Sequence, residues 1–156
     1  SLATSSDRTL FFDFLPIEAM SIKGFKTKFQ LYTVPGQVKY NATRRLVLRG
    51  VDGVVFVADA MTVRREKNIQ AFENLQENLA SYKKNLNALP WVMQYNKMDL
   101  LEQGIPLLPV EVLERDLNRE FHAPHFPASA VKGTNVAATL KKIISLTIAS
   151  IKKELL

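Results

Sequence analysis

Cysteine is absent from the 156 residues. That removes disulfides, thiolate metal sites and cysteine nucleophiles together. It fits a reducing compartment, and a cytoplasmic protein is expected. Histidine is almost absent as well, with His122 and His125 the two present. A histidine-rich metal centre or a Ser-His-Asp triad has little to be built from. The two histidines flank a proline and lack a third ligand, so a loop role is expected for them. No run of about 18 uncharged apolar residues occurs, so no transmembrane segment is expected. Nor is there a basic-then-apolar leader; the chain opens Ser1-Leu2-Ala3-Thr4.

What is present is ordinary for a globular fold: 47% apolar residues and 23% charged, in a length that suits one domain spanning residues 1–156. The net charge of +6 permits an anionic partner. It is modest for a nucleic-acid binder, and the aromatics occupy apolar strand and helix positions instead of interleaving with exposed cations. Phe11, Phe12, Phe14, Phe29, Phe56 and Trp91 read as core residues, and no nucleic-acid partner is expected.

Short apolar runs alternate with amphipathic segments. Residues 10–15 read as an aromatic strand ended by Pro16. Residues 25–33 alternate, with Phe29, Leu31 and Thr33 on one face, and read as a strand paired with the first as a hairpin. Tyr40 to Leu48 has helical character with Arg44, Arg45 and Arg49 exposed. Val51 to Ala60 is almost continuously apolar and β-branched, the pattern of a parallel strand covered on both faces. Arg64 to Asn85 carries Ile69, Phe72, Leu75, Leu79 and Tyr82 at helical spacing. Residues 91–95 form a further buried strand, 110–121 a shorter helix and 126–130 a last short strand. Thr134 to Leu156 closes the chain as a helix with Thr134 as its N-cap and Val136, Leu140, Ile143, Ile144, Thr147, Ile151 and Leu155 toward the core. This alternation is an α/β fold with a mainly parallel sheet, in which ligands bind beyond the carboxyl ends of the strands.

The residues after each strand therefore carry the functional argument. After the strand at 91–95 stands Asn96-Lys97-Met98-Asp99. A carboxylate there can accept from both N1–H and N2–H₂ of guanine, a donor pair adenine lacks. The asparagine amide can brace the loop and meet N7, and the lysine stem can lie along the base. A polar turn with Asp99 as N-cap is the plain alternative. After 25–33 comes Thr33-Val34-Pro35-Gly36-Gln37. Gly36 can offer its N–H to a terminal phosphate and Gln37 can orient an attacking water; alone, this is equally a Pro-Gly turn. Ser129-Ala130-Val131 can present backbone amides to guanine O6 or simply connect a strand to a helix. Arg8-Thr9 can neutralise phosphoryl charge and bind Mg²⁺, or be an exposed terminus.

The order of these motifs is that of Ras-like GTPases. The stretches DRTLFFDFLP (7–16), GFKTKFQLYTVPGQV (24–38), YNATRRLVLRGVDGVVFVADA (40–60) and NKMDL (96–100) resemble the MglA-type small GTPases, switches of bacterial gliding and cell polarity, with TVPGQ where most Ras-like proteins have DxxGQ. The resemblance implies a Ras-like P-loop GTPase fold, binding of GTP and GDP with Mg²⁺, hydrolysis of GTP, a Roadblock-fold activating partner of the MglB type, and effector proteins. It makes Arg8 a built-in arginine finger and Thr9 the magnesium ligand. Gly36 becomes the phosphate sensor and Gln37 the residue that positions water. Asn96, Lys97 and Asp99 become the guanine reader, with Ser129, Ala130 and Val131 its last loop. Val131 stands where relatives often have lysine, so that loop is expected to read the base through its backbone. Thr33 replaces the usual aspartate and contributes less to the metal.

GxxxxGK[ST] does not occur in the sequence. In this family it precedes Arg8, with the first strand and helix. The sequence is accordingly read as the carboxyl-terminal part of a longer protein, inactive by itself without its P-loop. The alternative is a degenerate, nucleotide-free binding module. In it, the clusters Arg44, Arg45, Arg49 and Lys141, Lys142, Lys152, Lys153 would contact a protein or a peripheral membrane surface.

Overall fold

The computed structural model describes residues 14–22, 25–34 and 36–155, with side chains from residue 27 onward except at 38. Arg8, Thr9, Phe11, Phe12 and the expected strand start at Leu10 lie outside the described residues. The residues form two compact units, 1–51 and 52–156, each considered by itself.

In the first unit, β1 (Phe14–Ile22) and β2 (Phe25–Tyr32) form an antiparallel pair, Phe14 opposite Tyr32 and Ile17 opposite Phe29, with a register shift between Ala19 and Ile22. The hairpin is as expected, but β1 does not end at Pro16; it runs six residues further, to Ile22. Among the described residues each of these strands has one unpaired edge, the kind of strand in which proline is tolerated. Along β2, Phe29 and Leu31 are half-buried while Lys28, Gln30 and Tyr32 are exposed, as the alternation predicts; Thr33, expected on the covered face, lies just past the strand end and is exposed. After it, α1 (Asn41–Leu48) buries Leu48. Arg45 and Arg49 are exposed, whereas Arg44 is half-buried, because its guanidinium turns back to donate to the Gln37 carbonyl at 2.5 Å.

The second unit is built from two successive β-α-β crossovers. The strands β3 (Val54–Asp59), β4 (Trp91–Asn96) and β5 (His125–Pro127) lie side by side in that order, all parallel. Between them come α2 (Arg65–Ala80) and α3 (Val110–Leu117), and α4 (Val136–Leu155) follows. β4 is central and buried from Trp91 through Tyr95. β3 is less covered than its apolar run predicts: Val57 is 53% exposed, and among the described residues β3 pairs with β4 on one side alone. The core gathers Ala58, Val92, Met93, Tyr95, Leu79, Leu113 and Ile143. Phe72 meets Phe56 at 5.3 Å, Trp91 at 5.6 Å and Phe121 at 6.0 Å between ring centroids. The Phe56–Phe72 and Phe72–Phe121 pairs are edge-to-face, the geometry aromatic quadrupoles prefer.

The helix ends differ from the periodicity in instructive ways. α2 stops at Ala80, not Asn85, because Lys83 adopts a left-handed φ of 59° and the Lys84 N–H returns to the Leu79 carbonyl at 3.0 Å, a Schellman-type closure. α3 stops at Leu117, since the Asn118 side chain leaves the helix pattern to hold both the N–H and carbonyl of Ala123. α4 starts at Val136, and Thr134 is not its cap; Thr134 is tied to Ser129 by a pair of backbone bonds, and Asn135, at φ 57°, precedes the helix. Val136 and Leu155, expected toward the core, are exposed at these two ends.

Candidate functional site

Parallel strands leave the sheet at one edge, so the segments following β3, β4 and β5 share a rim. Asp59 lies opposite Asn96 in register, and Tyr95 opposite Pro127. The chain turns sharply after β4 because Lys97 adopts φ 79°, which starts a short 3₁₀ segment over Met98–Gln103 that closes at Gly104, φ 73°. Lysine seldom occupies that conformation, so neighbouring contacts must hold the turn.

Those contacts come from the loop after β5. The Met98 N–H donates to the Ala128 carbonyl at 3.0 Å, which sets the two loops against each other. The Ala130 N–H donates to Asn96 Oδ1 at 2.9 Å, and Ser129 Oγ donates to Asp99 Oδ1 at 2.9 Å. Ser129 is 2% exposed, and its Oγ also accepts from the Lys132 N–H at 3.2 Å, so its hydroxyl is oriented. Farther out, Lys132 Nζ meets Glu102 Oε2 at 2.5 Å, and that hydrogen bond raises the lysine's pKa.

Four of the expected site residues, Asn96, Asp99, Ser129 and Ala130, are thus joined in one bonded unit. The Asp99 carboxylate is fixed through Oδ1, and its acceptor capacity at Oδ2 meets no donor among the described residues. The Asn96 carbonyl end is engaged, which directs its NH₂ end elsewhere. Ala130 has committed its N–H to Asn96, so the free donor of this loop is the N–H of Val131, whose residue is 88% exposed. An ionised acceptor, an amide donor and a backbone donor on one rim make a constellation complementary to the edge of guanine. Placed against adenine, the same carboxylate would face a ring acceptor.

Two participants at the rim were not anticipated. Asp59, at the end of β3, meets Lys97 Nζ at 2.8 Å through Oδ2 and accepts from the Met61 N–H at 3.0 Å through Oδ1. Asn68, buried on α2, donates to the Asp59 carbonyl at 2.8 Å and accepts from its N–H at 3.0 Å. The signal for Asp59 was available: a carboxylate ending an apolar parallel strand belongs to the ligand-bearing rim. Asn68 carried none, since polar residues on a helix are usually solvated.

The remaining expected residues are elsewhere. Gly36 and Gln37 belong to the first unit. Gly36 is exposed, and a Cβ built there would meet nothing within 4 Å, so local packing does not demand glycine. Gln37 is half-buried, its carbonyl accepting from the Tyr40 N–H at 3.0 Å as well as from Arg44. Arg8 and Thr9 fall outside the described residues. His125 is not in a loop, as expected, but opens β5, where Nδ1 lies 3.3 Å from Glu114 and the ring 5.8 Å from that of Tyr95. His122 does lie in a loop, at φ 49°. Among the described residues no cluster of three or more potential ligands could hold a metal ion, and no helix is long and apolar enough to cross a membrane.

The sequence matches the Ras family over residues 1–149. The chain belongs to that family. It is 50% identical over 153 residues to the Mutual gliding-motility protein MglA of Myxococcus xanthus (strain DK1622), an alignment covering 98% of this chain and 76% of that protein. It is also 26% identical over 151 residues to the Ras-related protein Rab-27B of Rattus norvegicus, covering 94% of this chain and 64% of that protein. The chain is therefore a small GTPase of the Ras-like fold resembling MglA; hydrolysis of GTP is the activity of its family, and binding of guanine nucleotide goes with it.

Proposed function

We propose that the rim formed by Asn96, Lys97, Asp99, Ser129, Ala130 and Val131 reads the guanine base, and that the full-length protein, as a single GTPase domain, is a GTP/GDP switch in bacterial gliding or cell polarity. The observation that carries the reading is the Asp99 carboxylate, held by Ser129 through one oxygen and open at the other. Asp99 would accept from N1–H and N2–H₂, the Asn96 amide would donate to N7, and the Val131 N–H would donate to O6. The Lys97 stem would cover one face of the base.

The phosphate end rests on the sequence pattern. Gly36 would offer its N–H to the terminal phosphate, Gln37 would orient the hydrolytic water, Arg8 would neutralise charge on the phosphoryl group, and Thr9 would ligate Mg²⁺. Mg²⁺ when bound would neutralise phosphate charge. Ordering of the segments around Thr9 and Gly36 by the terminal phosphate would create the surface read by effectors and by a Roadblock-fold, MglB-type activating protein in the cytoplasm.

Calorimetric titration with GTP, GDP and ATP in Mg²⁺ tests this. Guanine-selective binding supports it. A folded protein that binds none of the three overturns it and favours the nucleotide-free module.

A further inference from the structure

We propose that Asp59 is a positioning residue for the base-reading rim, acting through Lys97; this rests on reading residues 96–99 as the guanine site. Every polar group of Asp59 is committed. Its N–H and carbonyl are clamped by Asn68 at 3.0 and 2.8 Å, Oδ1 takes the Met61 N–H at 3.0 Å, and Oδ2 faces Lys97 Nζ at 2.8 Å. The carboxylate therefore has one place to be, and Lys97 is drawn to it.

Lys97 needs such an anchor. It carries the left-handed φ of 79° that turns the chain between Asn96 and Asp99, so its side-chain position and the aim of the two base-reading residues are linked by the backbone. Asn68 strengthens the point. It is 7% exposed on the core face of α2 and devotes both ends of its amide to the Asp59 backbone. A buried amide on an apolar face is retained where its hydrogen bonds matter. A contribution to stability alone is a weak explanation, because the Lys97 and Asp59 side chains are 42% and 21% exposed, and pairs this open to water add little. Arg64 Nε, 3.8 Å from the same Oδ2, is a second cation that the carboxylate balances. Asp59→Asn would leave both cations facing an amide and release Lys97 from its place.

The test is the rate at which the full-length protein, loaded with fluorescent GDP, releases it into excess unlabelled GDP. Asp59→Asn is expected to speed release about tenfold, the scale of coupling between residues in contact. In a Lys97→Met background, which keeps the stem and removes the ammonium, the same change is expected to alter release less than about twofold, because the coupled partner is gone. Equal acceleration in both backgrounds overturns the proposal by making Asp59 a general structural residue, and no acceleration in either overturns it outright. Asp59→Glu keeps the charge and moves it by one methylene, and supplies the same cycle should the asparagine variant not fold. Asp99→Asn separates the underlying reading. If its preference for GDP over xanthosine diphosphate equals that of the unmodified protein, the guanine assignment fails whatever Asp59 does.

Discussion

At the scale of single residues the proposed base-reading rim depends on hydrogen-bond polarity. Asp99 is an acceptor at both oxygens, and Ser129 fixes the direction in which it accepts. Asp99→Asn replaces one acceptor by a donor that opposes the donors of guanine. It is expected to cut GDP affinity by about 10–100-fold, the scale of a lost bidentate base contact, and to raise affinity for xanthine nucleotides, measured by competition titration. Gln37 belongs to a different step. Gln37→Leu removes a group proposed to orient water and leaves the base contacts intact, so GTP affinity is expected to hold while single-turnover hydrolysis falls by about 10²-fold. Unchanged turnover would remove Gln37 from the reaction.

At the scale of elements, two contacts decide how α3 and α4 are set on the sheet. Tyr95 is fully buried in β4, and its hydroxyl donates to Glu114 on α3 at 2.5 Å. Glu114 also accepts from Asn118 and lies against His125. Burial, reinforced by the bond to Glu114, pushes the Tyr95 phenol well above its ordinary value of 10.0. A proton held more tightly in the folded than in the unfolded state stabilises the fold fully below the unfolded pKa, and that contribution is lost progressively as pH rises from there through the folded pKa. Tyr95→Phe is expected to cost about 1–3 kcal/mol near neutral pH, since a hydrogen bond to a carboxylate is lost. In denaturant melts between pH 8 and 11, the gap between the two proteins is expected to narrow as pH rises above about 10. A gap that widens there would contradict the assignment.

The second contact is a close approach. A Cβ on Gly53, just before β3, would lie 2.5 Å from Thr147 Oγ1 and 3.2 Å from Ile143 Cδ1 on α4. Thr147 is 5% exposed and bonded to the Ile143 carbonyl, so it has little room to yield. Gly53→Ala is expected to lose about 1–3 kcal/mol by overpacking, and Thr147→Ala in the same chain to recover part of it, read from the shift in denaturation midpoint.

At the scale of the whole molecule, ligand linkage joins binding to stability. A nucleotide held at 100 times its Kd raises unfolding free energy by about 2.7 kcal/mol. GDP with Mg²⁺ is expected to raise the Tm of the full-length protein, ATP to leave it unchanged, and EDTA to reverse much of the gain. A gain indifferent to EDTA would argue against Mg²⁺ taking part in nucleotide binding.

Much of the second unit was legible from the sequence because its cues are local. The apolar runs at 51–60 and 91–95, the helical spacing from Ile69 to Leu79, and the four residues after Tyr95 each report on one segment. The element ends were less legible. Lys83 and Lys97 adopt left-handed backbone that lysine ordinarily avoids, and Asn118 and Asn135 spend their side chains on distant carbonyls; these choices are made by neighbours, not by propensity. The polar residues Thr139 and Gln94 are buried for the same reason, each satisfying the other across 45 positions at 2.8 Å.

By itself the sequence determined that the fold alternates strand and helix and that the family is Ras-like, and it singled out residues 96–99 as the turn proposed to carry the chemistry. Hydrophobic periodicity and a short motif are properties of consecutive residues and need no third dimension. Only the tertiary structure decided that Ser129 aims the Asp99 carboxylate, that Ala130 gives its amide to Asn96 and leaves Val131 as the donor, and that Asp59 anchors Lys97. Those pairs lie about 30 to 38 positions apart in the chain, and they meet because three parallel strands end on the same edge of one sheet.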